Sequence, residues 1–521
     1  MKNKLIIFAI VTGCLIIIAE AAMIYATNWT IGVSPDTIIY IKVARNIISG
    51  QGLNIAAGEP LTHYPPLYPA FLAISGLVGF VPLEGARWLH VFLFAANVLL
   101  VSAIIYRQTN GSITALALGS LFMISSLSML DIHTMVWSEA LFVLLTLGGL
   151  FVLAEYLSDP KNFTLLVISA LFIGAACLTK YIGIAVVASA SLSILLLRNS
   201  GRRQNFKYAC VYGLIGSLPM IFWLARNRLI TGSLTDRVTQ YHPIDLNRID
   251  QGTTTVAEWL LIPENLSSPL RNTFIILIIC LLVSVNFLVY LKQKRNVHTP
   301  SAAGISYFPI ISIISAAGYV LMLVISISFF DAHTPLDNRI LSPLFPLGII
   351  LFFSLVFNAI ISLRMVRLRF LLVLILAGLL AYQIKTTLPY WHYAHENGRW
   401  YTGKQWQTSN ILKFVRSLPQ DISLYSNGDD AIELLTRKKS FRIPAVENPG
   451  TVTKNMEFDS QLQAMVEKLK ATNGVLVYFH LIKWRWYLPT GEYLYENLPL
   501  RILYQGSDGA VFQVKKSKEE S

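Results

Sequence analysis

Charge is scarce in this sequence. Asp, Glu, Lys and Arg make up 14% of its 521 residues, against about 25% in ordinary soluble domains. A chain so poor in charge and 54% apolar has a membrane as its natural solvent. Cysteine is scarcer still. Cys14, Cys177, Cys210 and Cys280 lie in or beside apolar stretches, with no metal-ligand spacing and no evident pairing. They read as small core residues, and the cysteine-free C-terminal region must fold without disulfides. Internal repeats and low-complexity tracts are absent. The first apolar stretch lacks a small-residue cleavage motif, since Glu20 precedes Ala21 and Ala22. It reads as a membrane helix rather than a cleaved signal peptide.

What is present is a succession of apolar runs, each long enough for a helix to cross about 30 Å of hydrocarbon. Spans are expected at about 5–26, 86–106, 113–130, 138–156, 162–178, 182–198, 208–225, 272–291, 304–329, 340–362 and 369–388, about eleven crossings. The net charge of +13 would suggest nucleic acid in a soluble protein. Here, with Lys2 and Lys4 inside, the inner loops hold Arg107, Lys161, Arg198, Arg202, Arg203, Lys207, Lys292, Lys294, Arg295, Arg364, Arg367 and Arg369. That is the accumulation of basic residues on cytoplasmic loops, so no nucleic-acid partner is expected. The outer loops fall at about 27–85, 131–137, 179–181, 226–271 and 331–338, and an odd number of crossings puts the C-terminal region on the same side.

The first outer loop, 27–85, is long and semi-apolar and is expected to lie along the membrane surface. From about residue 389 the composition becomes ordinary, with helix-like runs near 405–417 and 461–471 and strand-like runs near 422–426, 474–479, 501–504 and 510–514. Residues 515–521 read as a frayed tail. The expected fold class is a polytopic α-helical membrane protein with a C-terminal extracytoplasmic α/β domain: a transmembrane domain over 1–388 and the α/β domain over 389–521.

Ionisable groups at span ends are costly and need an explanation. Asp36, after Ser34 and Pro35 and one turn before Tyr40, is by itself an ordinary N-cap or first-turn residue. Asp131, His133 and Glu139 sit in the second outer loop or at the top of the next span; Glu139 alone also reads as a snorkelling carboxylate. Lys180 is the only break in a stretch too long for one span, and a lone lysine there is usually an interfacial anchor. Arg226 with Asn227, and Asp337 with Arg339, mark two further outer ends. Taken together, these groups are what chemistry on a lipid phosphate requires: a carboxylate to take a proton, a second acid to orient, and cations to hold phosphate. In glycosyl transfer Asp36 would be the base, while cations neutralise the leaving phosphate.

The same residues resemble the C-type (GT-C) membrane glycosyltransferases, in particular the bacterial branch similar to protein O-mannosyltransferases and lipid A aminoarabinose transferases. The resemblance rests on Asp36 to Tyr40 with Ala44, Gly50 and Gly52; on the Pro-rich run from Tyr64 to Pro69; on Ser138-Glu139; on Leu178-Thr179-Lys180; on Arg226-Asn227 with Thr231-Gly232; and on Asp337-Asn338-Arg339 with Pro343 and Pro346. It implies a GT-C-like fold and an inverting transfer from a polyprenyl-phosphate-linked sugar to a lipid, glycan or protein acceptor outside the cytoplasm. It implies Asp36 as catalytic base, Glu139 as assisting acid with Asp131 as its substitute, and Arg226, Arg339 and Lys180 as phosphate ligands. His63 is a further phosphate candidate, though a solvent-facing interfacial histidine is the plainer reading; Tyr40 and Tyr64 accompany the substrate.

A second acid beside Asp36, present in some relatives, is missing here, as is a lysine before the Pro-Pro segment. A divalent cation held by Asp36 and Glu139 is conceivable, but two or three carboxylates without a His/Cys cluster are a weak metal signature. Aromatic residues after the last span (Tyr390, Trp391, Tyr393, Trp400, Tyr401, Trp406) read as an interfacial belt, some of which could stack on sugars. A transporter or flippase of lipid-linked glycans usually shows internal repeats and midplane charges, which are absent. A glycan polymerase is the nearer rival.

Overall fold

The computed structural model describes residues 2–515, apart from 57, 264, 296–305, 363–364 and 451–452. Arg364, residues 304–305 of the ninth expected span and 516–521 of the tail lie outside the described residues. Seven helices among the described residues are long and apolar enough to cross a membrane: Asn3–Ala26, Pro82–Gln108, Glu139–Ser158, Arg202–Thr231, Ser268–Gln293, Phe308–Phe329 and Val366–Asn397. An eighth results if Ile113–Ile124 and Leu127–Thr134, bent by 57°, form one span. The chain is a multi-pass membrane protein, but the expectation of about eleven crossings is corrected to seven, or eight with the bent pair.

The physical reason for the difference lies in helix length: hydropathy registers an apolar run, but the run need not fold as one straight helix of spanning length. The stretch 162–198 folds as Phe163–Cys177 and Gly183–Leu197, 15 residues each. At 1.5 Å per residue each is about 22 Å long, short of the roughly 30 Å hydrocarbon core. Leu344–Ile360 is also too short. The run from 113 breaks where the Ser125 hydroxyl donates back to the Leu121 carbonyl (2.8 Å) and Ser126 caps the next helix. Seven crossings, again an odd number, keep the C-terminal region on the side opposite the N-terminus, and eight would bring the two to the same side.

Past the long helix Val366–Asn397 the chain builds a five-stranded mixed sheet, in the order Phe441–Arg442, Leu424–Ser426, Val475–Phe479, Gly509–Val514, Leu500–Gly506. The first three strands are parallel and the last two join antiparallel. The central strand Val475–Phe479 shows the two-residue period of a strand buried on both faces. Leu476 packs with Leu462, Met465 and Phe512 against the helix Phe458–Ala471. Val475, Val477 and Phe479 face a different core, shared with Ile31, Tyr40, Ile41, Tyr68, Leu72, Val136 and Leu141. The sheet and the first loop thus have one hydrophobic core between them.

Three segments are tied together there by backbone hydrogen bonds. Gly32 N donates to Thr134 O (2.9 Å), Val136 N to Gly32 O (2.9 Å) and Tyr401 N to Val33 O (3.1 Å). Gly32 thus lies beside Met135, and each is four residues before an acid, Asp36 or Glu139. A Cβ on Gly32 would come within 2.7 Å of Arg399 Cβ and 2.2 Å of Met135 Sδ. Gly32→Ala is expected to overpack this junction and to cost about 1–3 kcal/mol, read as a lower thermal midpoint of the detergent-solubilised protein.

Candidate active site

Asp36 is the second residue of the helix Pro35–Ile48. Pro35 occupies the first helical position, where a missing N–H costs nothing, and Ser34 N donates to Thr37 Oγ1 (2.7 Å) in a capping box. An acid in this first turn is favoured by the helix dipole. The structural role expected of Asp36 is therefore real, and its side chain is still 43% exposed.

Three other residues named from the sequence converge on it. Arg339, just before the helix Leu344–Ser362, donates from Nη1 to Asp36 Oδ2 (3.0 Å) and from Nε to Glu139 Oε1 (2.8 Å). Lys180, in the turn between the two 15-residue helices, donates from Nζ to the same Glu139 oxygen (2.7 Å). Glu139 opens its helix and is fully buried, while Lys180 and Arg339 are each 19% exposed. Burial by itself would lower Arg339, but the Glu139 and Asp36 carboxylates more than reverse that and hold the guanidinium above its ordinary value. For Lys180 burial wins, and its ammonium falls below the usual lysine range despite Glu139. Two acids and two cations from four separate segments thus form one charge-balanced network. Glu139 anchors both cations, which leaves Asp36 the more accessible carboxylate.

Sequence reasoning named Tyr40, Tyr64 and His133 but missed Trp137 and His90, and with them the contacts that hold this network in place. Trp137 lies under the Arg339 guanidinium at 4.4 Å, and its indole N–H donates to Ser34 Oγ (2.9 Å). Tyr40 is buried between the rings of Tyr64 and Tyr68, both at 5.1 Å. Tyr68 hydrogen-bonds His90 (2.7 Å), whose other nitrogen meets the His133 carbonyl (3.1 Å). His133 is itself buried against Asn97 and the Met129 carbonyl. Partners this remote leave no local trace; only the polar residues inside apolar runs hinted at them.

The other named residues are engaged elsewhere. Asp131 accepts from Arg399 Nη2 (2.7 Å) and from the Tyr390 hydroxyl (3.0 Å), tying the end of Val366–Asn397 to the junction at Gly32. Arg226 donates to the Leu61 carbonyl (2.7 Å) and covers Trp223 at 4.6 Å. His63 stacks edge-on with Tyr64 at 4.7 Å, and burial, reinforced by Arg237, lowers its pKa. It is therefore a neutral ring at pH 7. Arg237 itself was not foreseen; its Nε is buried without a hydrogen-bond partner among the described residues, and its guanidinium lies 6.0 Å from the Tyr181 ring. Asp131→Asn is expected to cost about 1–3 kcal/mol of stability through the weakened Arg399 contact, seen as a lower melting midpoint, with turnover per folded molecule retained.

Asp36, His63 and Tyr64 line a cavity of about 530 Å3 whose opposite wall comes from the sheet-bearing region, through Asp429, Glu433, Arg442, Trp484 and Tyr487. Lys42, on the Asp36 helix, bridges to Glu433 across it (2.7 Å). Arg339 occupies the space between Asp36 and Glu139, so these acids do not make a cation cage, and no group of three His, Cys, Asp or Glu suited to a metal occurs among the described residues.

Residues 53–226, which carry Tyr64, Glu139, Lys180 and Arg226, match the family described as dolichyl-phosphate-mannose-protein mannosyltransferase. The match takes in less than half of the chain; together with the fold it makes the chain similar to the GT-C membrane glycosyltransferases of the ArnT and PMT types. Among solved structures it is similar to ArnT from Cupriavidus metallidurans bound to undecaprenyl phosphate, with a TM-score of 0.58 at 12% identity over 96% of this chain and 97% of that one. The apo oligosaccharyltransferase of Archaeoglobus fulgidus gives 0.53 at 12% identity, over 97% and 75% of the two chains. The same organism's AglB, in complex with an inhibitory peptide and a dolichol-phosphate, gives 0.50 at 13% identity, over 98% and 74%. At these identities the likeness is one of fold. No curated protein matches the sequence.

Proposed function

We propose that the protein is an inverting transferase that moves a sugar from a polyprenyl-phosphate donor to an acceptor hydroxyl on the extracytoplasmic side of the membrane. The observation that carries the reading is the Asp36–Arg339–Glu139–Lys180 network, whose Asp36 lines a cavity. Asp36 takes the acceptor proton as the hydroxyl oxygen attacks the anomeric carbon. The bond from that carbon to the phosphate oxygen breaks, and a single displacement inverts configuration. Arg339 meets the charge growing on the phosphate, with Lys180 behind it and Arg226 and the neutral His63 as outer contacts. Glu139 positions the two cations. Two similar folds were solved with polyprenyl phosphates, undecaprenyl phosphate in one and dolichol-phosphate in the other, which supports that donor class.

We assign the membrane part to 1–388 and the sheet-bearing domain to 389–521, the latter extracytoplasmic and the N-terminus cytoplasmic. Compartment-sensitive reporters fused to each end test this orientation, and equal signals from both ends would contradict it. The reaction is tested by giving radiolabelled polyprenyl-phosphate sugars to vesicles that contain the protein. Label should move to an acceptor with release of polyprenyl phosphate. Intact donor crossing the bilayer without transfer would make a flippase the better reading, and growth of a lipid-linked chain would favour a polymerase.

A further inference from the structure

We propose that the acceptor presents a glycan, and that Trp484, Trp400 and Tyr393 hold its sugar rings on the path to Asp36. The inference rests on the glycosyl-transfer reading above and adds the chemical class of the acceptor.

Two cavities meet at Trp484. One, of about 530 Å3, holds Asp36. The other, of about 340 Å3, is walled by Tyr393, Trp400, Trp406 and Leu481. Trp484 lines both. The residue is 37% exposed, and the Trp400 ring meets its ring edge-on at 5.0 Å. The result is an aromatic path that ends among carboxylates and guanidinium groups. A pyranose suits such a path, because its C–H face packs on an aromatic ring while its hydroxyls turn to polar side chains. Most of the charges facing it are already paired, Arg442 Nε with Asp429 Oδ1 (2.9 Å), Arg485 Nη1 with the same oxygen (3.0 Å) and Lys42 with Glu433 (2.7 Å), with Glu59 as a further acid. Such a wall serves neutral hydroxyls better than an anionic acceptor.

The backbone adds an independent observation. Trp400 has a φ of 51°, in the left-handed region that a bulky side chain rarely enters. Such strain gathers at ligand clamps, and here it is maintained by the bridge from Val33 to Trp400 and the Tyr401 N to Val33 O bond. The aromatic residues after the last span do not all face lipid. Tyr401 and Trp406 are buried on each other at 4.9 Å, and Trp406 packs on Phe479 at 5.1 Å. A peptide acceptor captured by strand addition would need a run of free strand edge, whereas the edge strand at the cavity, Phe441–Arg442, has two residues.

The test uses the full-length protein in lipid nanodiscs, with Asp36→Asn present to prevent turnover and neutral gluco-, manno- and chito-tetrasaccharides as probes, followed by tryptophan fluorescence. At least one probe should bind saturably. Trp484→Ala should weaken it about tenfold or more, the scale of losing one aromatic anchor. Trp484→Phe, which keeps a ring and the fold, should retain most of the binding. No binding by any probe, or equal binding with and without the Trp484 ring, overturns the proposal. A parallel assay follows label from a polyprenyl-phosphate sugar in the protein without the Asp36 substitution. Label on a protease-sensitive or sugar-free product overturns the glycan acceptor but keeps the transferase, whereas Trp484-dependent binding without any transfer keeps the glycan site and removes the transferase reading.

Discussion

Asp36→Asn is expected to leave the protein folded and inserted while lowering sugar transfer by about 100- to 10,000-fold, the usual contribution of a general base. The amide has the shape of the carboxylate and still offers Arg339 an oxygen at the position of Oδ2. The side chain is 43% exposed, so the change in stability should stay within about 1 kcal/mol. What the amide cannot do is accept the acceptor's proton. The measurement is transfer of labelled sugar by membranes with matched amounts of the two proteins, alongside their thermal midpoints. Equal transfer would leave Asp36 as a helix-capping acid and send the search for a base elsewhere.

Glu139→Ala is expected to damage the protein itself. Its carboxylate is fully buried and is the shared partner of Lys180 and Arg339. Removing it strands two largely buried cations with one acid between them, and breaking a buried pair in this way costs about 3–5 kcal/mol. Transfer should disappear together with folded protein, visible as a large fall in melting midpoint and poor recovery from detergent. Glu139→Gln tests the positioning role more gently: it keeps the volume and one acceptor oxygen but loses the charge, so turnover per folded molecule should fall as Arg339 is released from its place. A stable, fully active Glu139→Gln protein would contradict that role.

The sequence exposed much of this site because Glu139, Lys180 and Arg339 stand at the ends of apolar runs, where an ionisable group is expensive. Asp36, inside the first outer loop, was singled out as the base that the chemistry and the resemblance require, and the four do meet. Asp131 and Arg226 stand at such ends too and do not join them. One is taken by Arg399, 268 residues away in the chain, and the other by the carbonyl of Leu61. Which costly group finds which partner is decided by tertiary packing, and a single sequence does not encode that locally.

The number of crossings failed because several apolar runs fold as helices too short or too bent to cross. Thr179 and Ser125 bond their hydroxyls to carbonyls four residues back, where such helices end or bend. The alternation of helix and strand after residue 404 was easier to read, since short polar connections punctuate it. The cluster from Lys483 to Tyr487 could be read as one able to touch headgroups or glycan. That Trp484 and Asp429 wall the same cavity as Asp36 could not be read, because that wall exists only once the sheet docks on the first loop.

That shared core bears on how the molecule comes into being. Asp36 leaves the ribosome 303 residues ahead of Arg339, and Lys42 leaves it 391 residues ahead of Glu433. Contacts so distant in sequence form late, and apolar surface waiting for them is open to aggregation in the meantime. During synthesis the first loop must therefore wait, half-packed, for the sheet that completes its core. A chain stopped after its last membrane helix would already own every member of the charge network and still lack the cover that Ile31, Tyr40 and Tyr68 were shaped to receive.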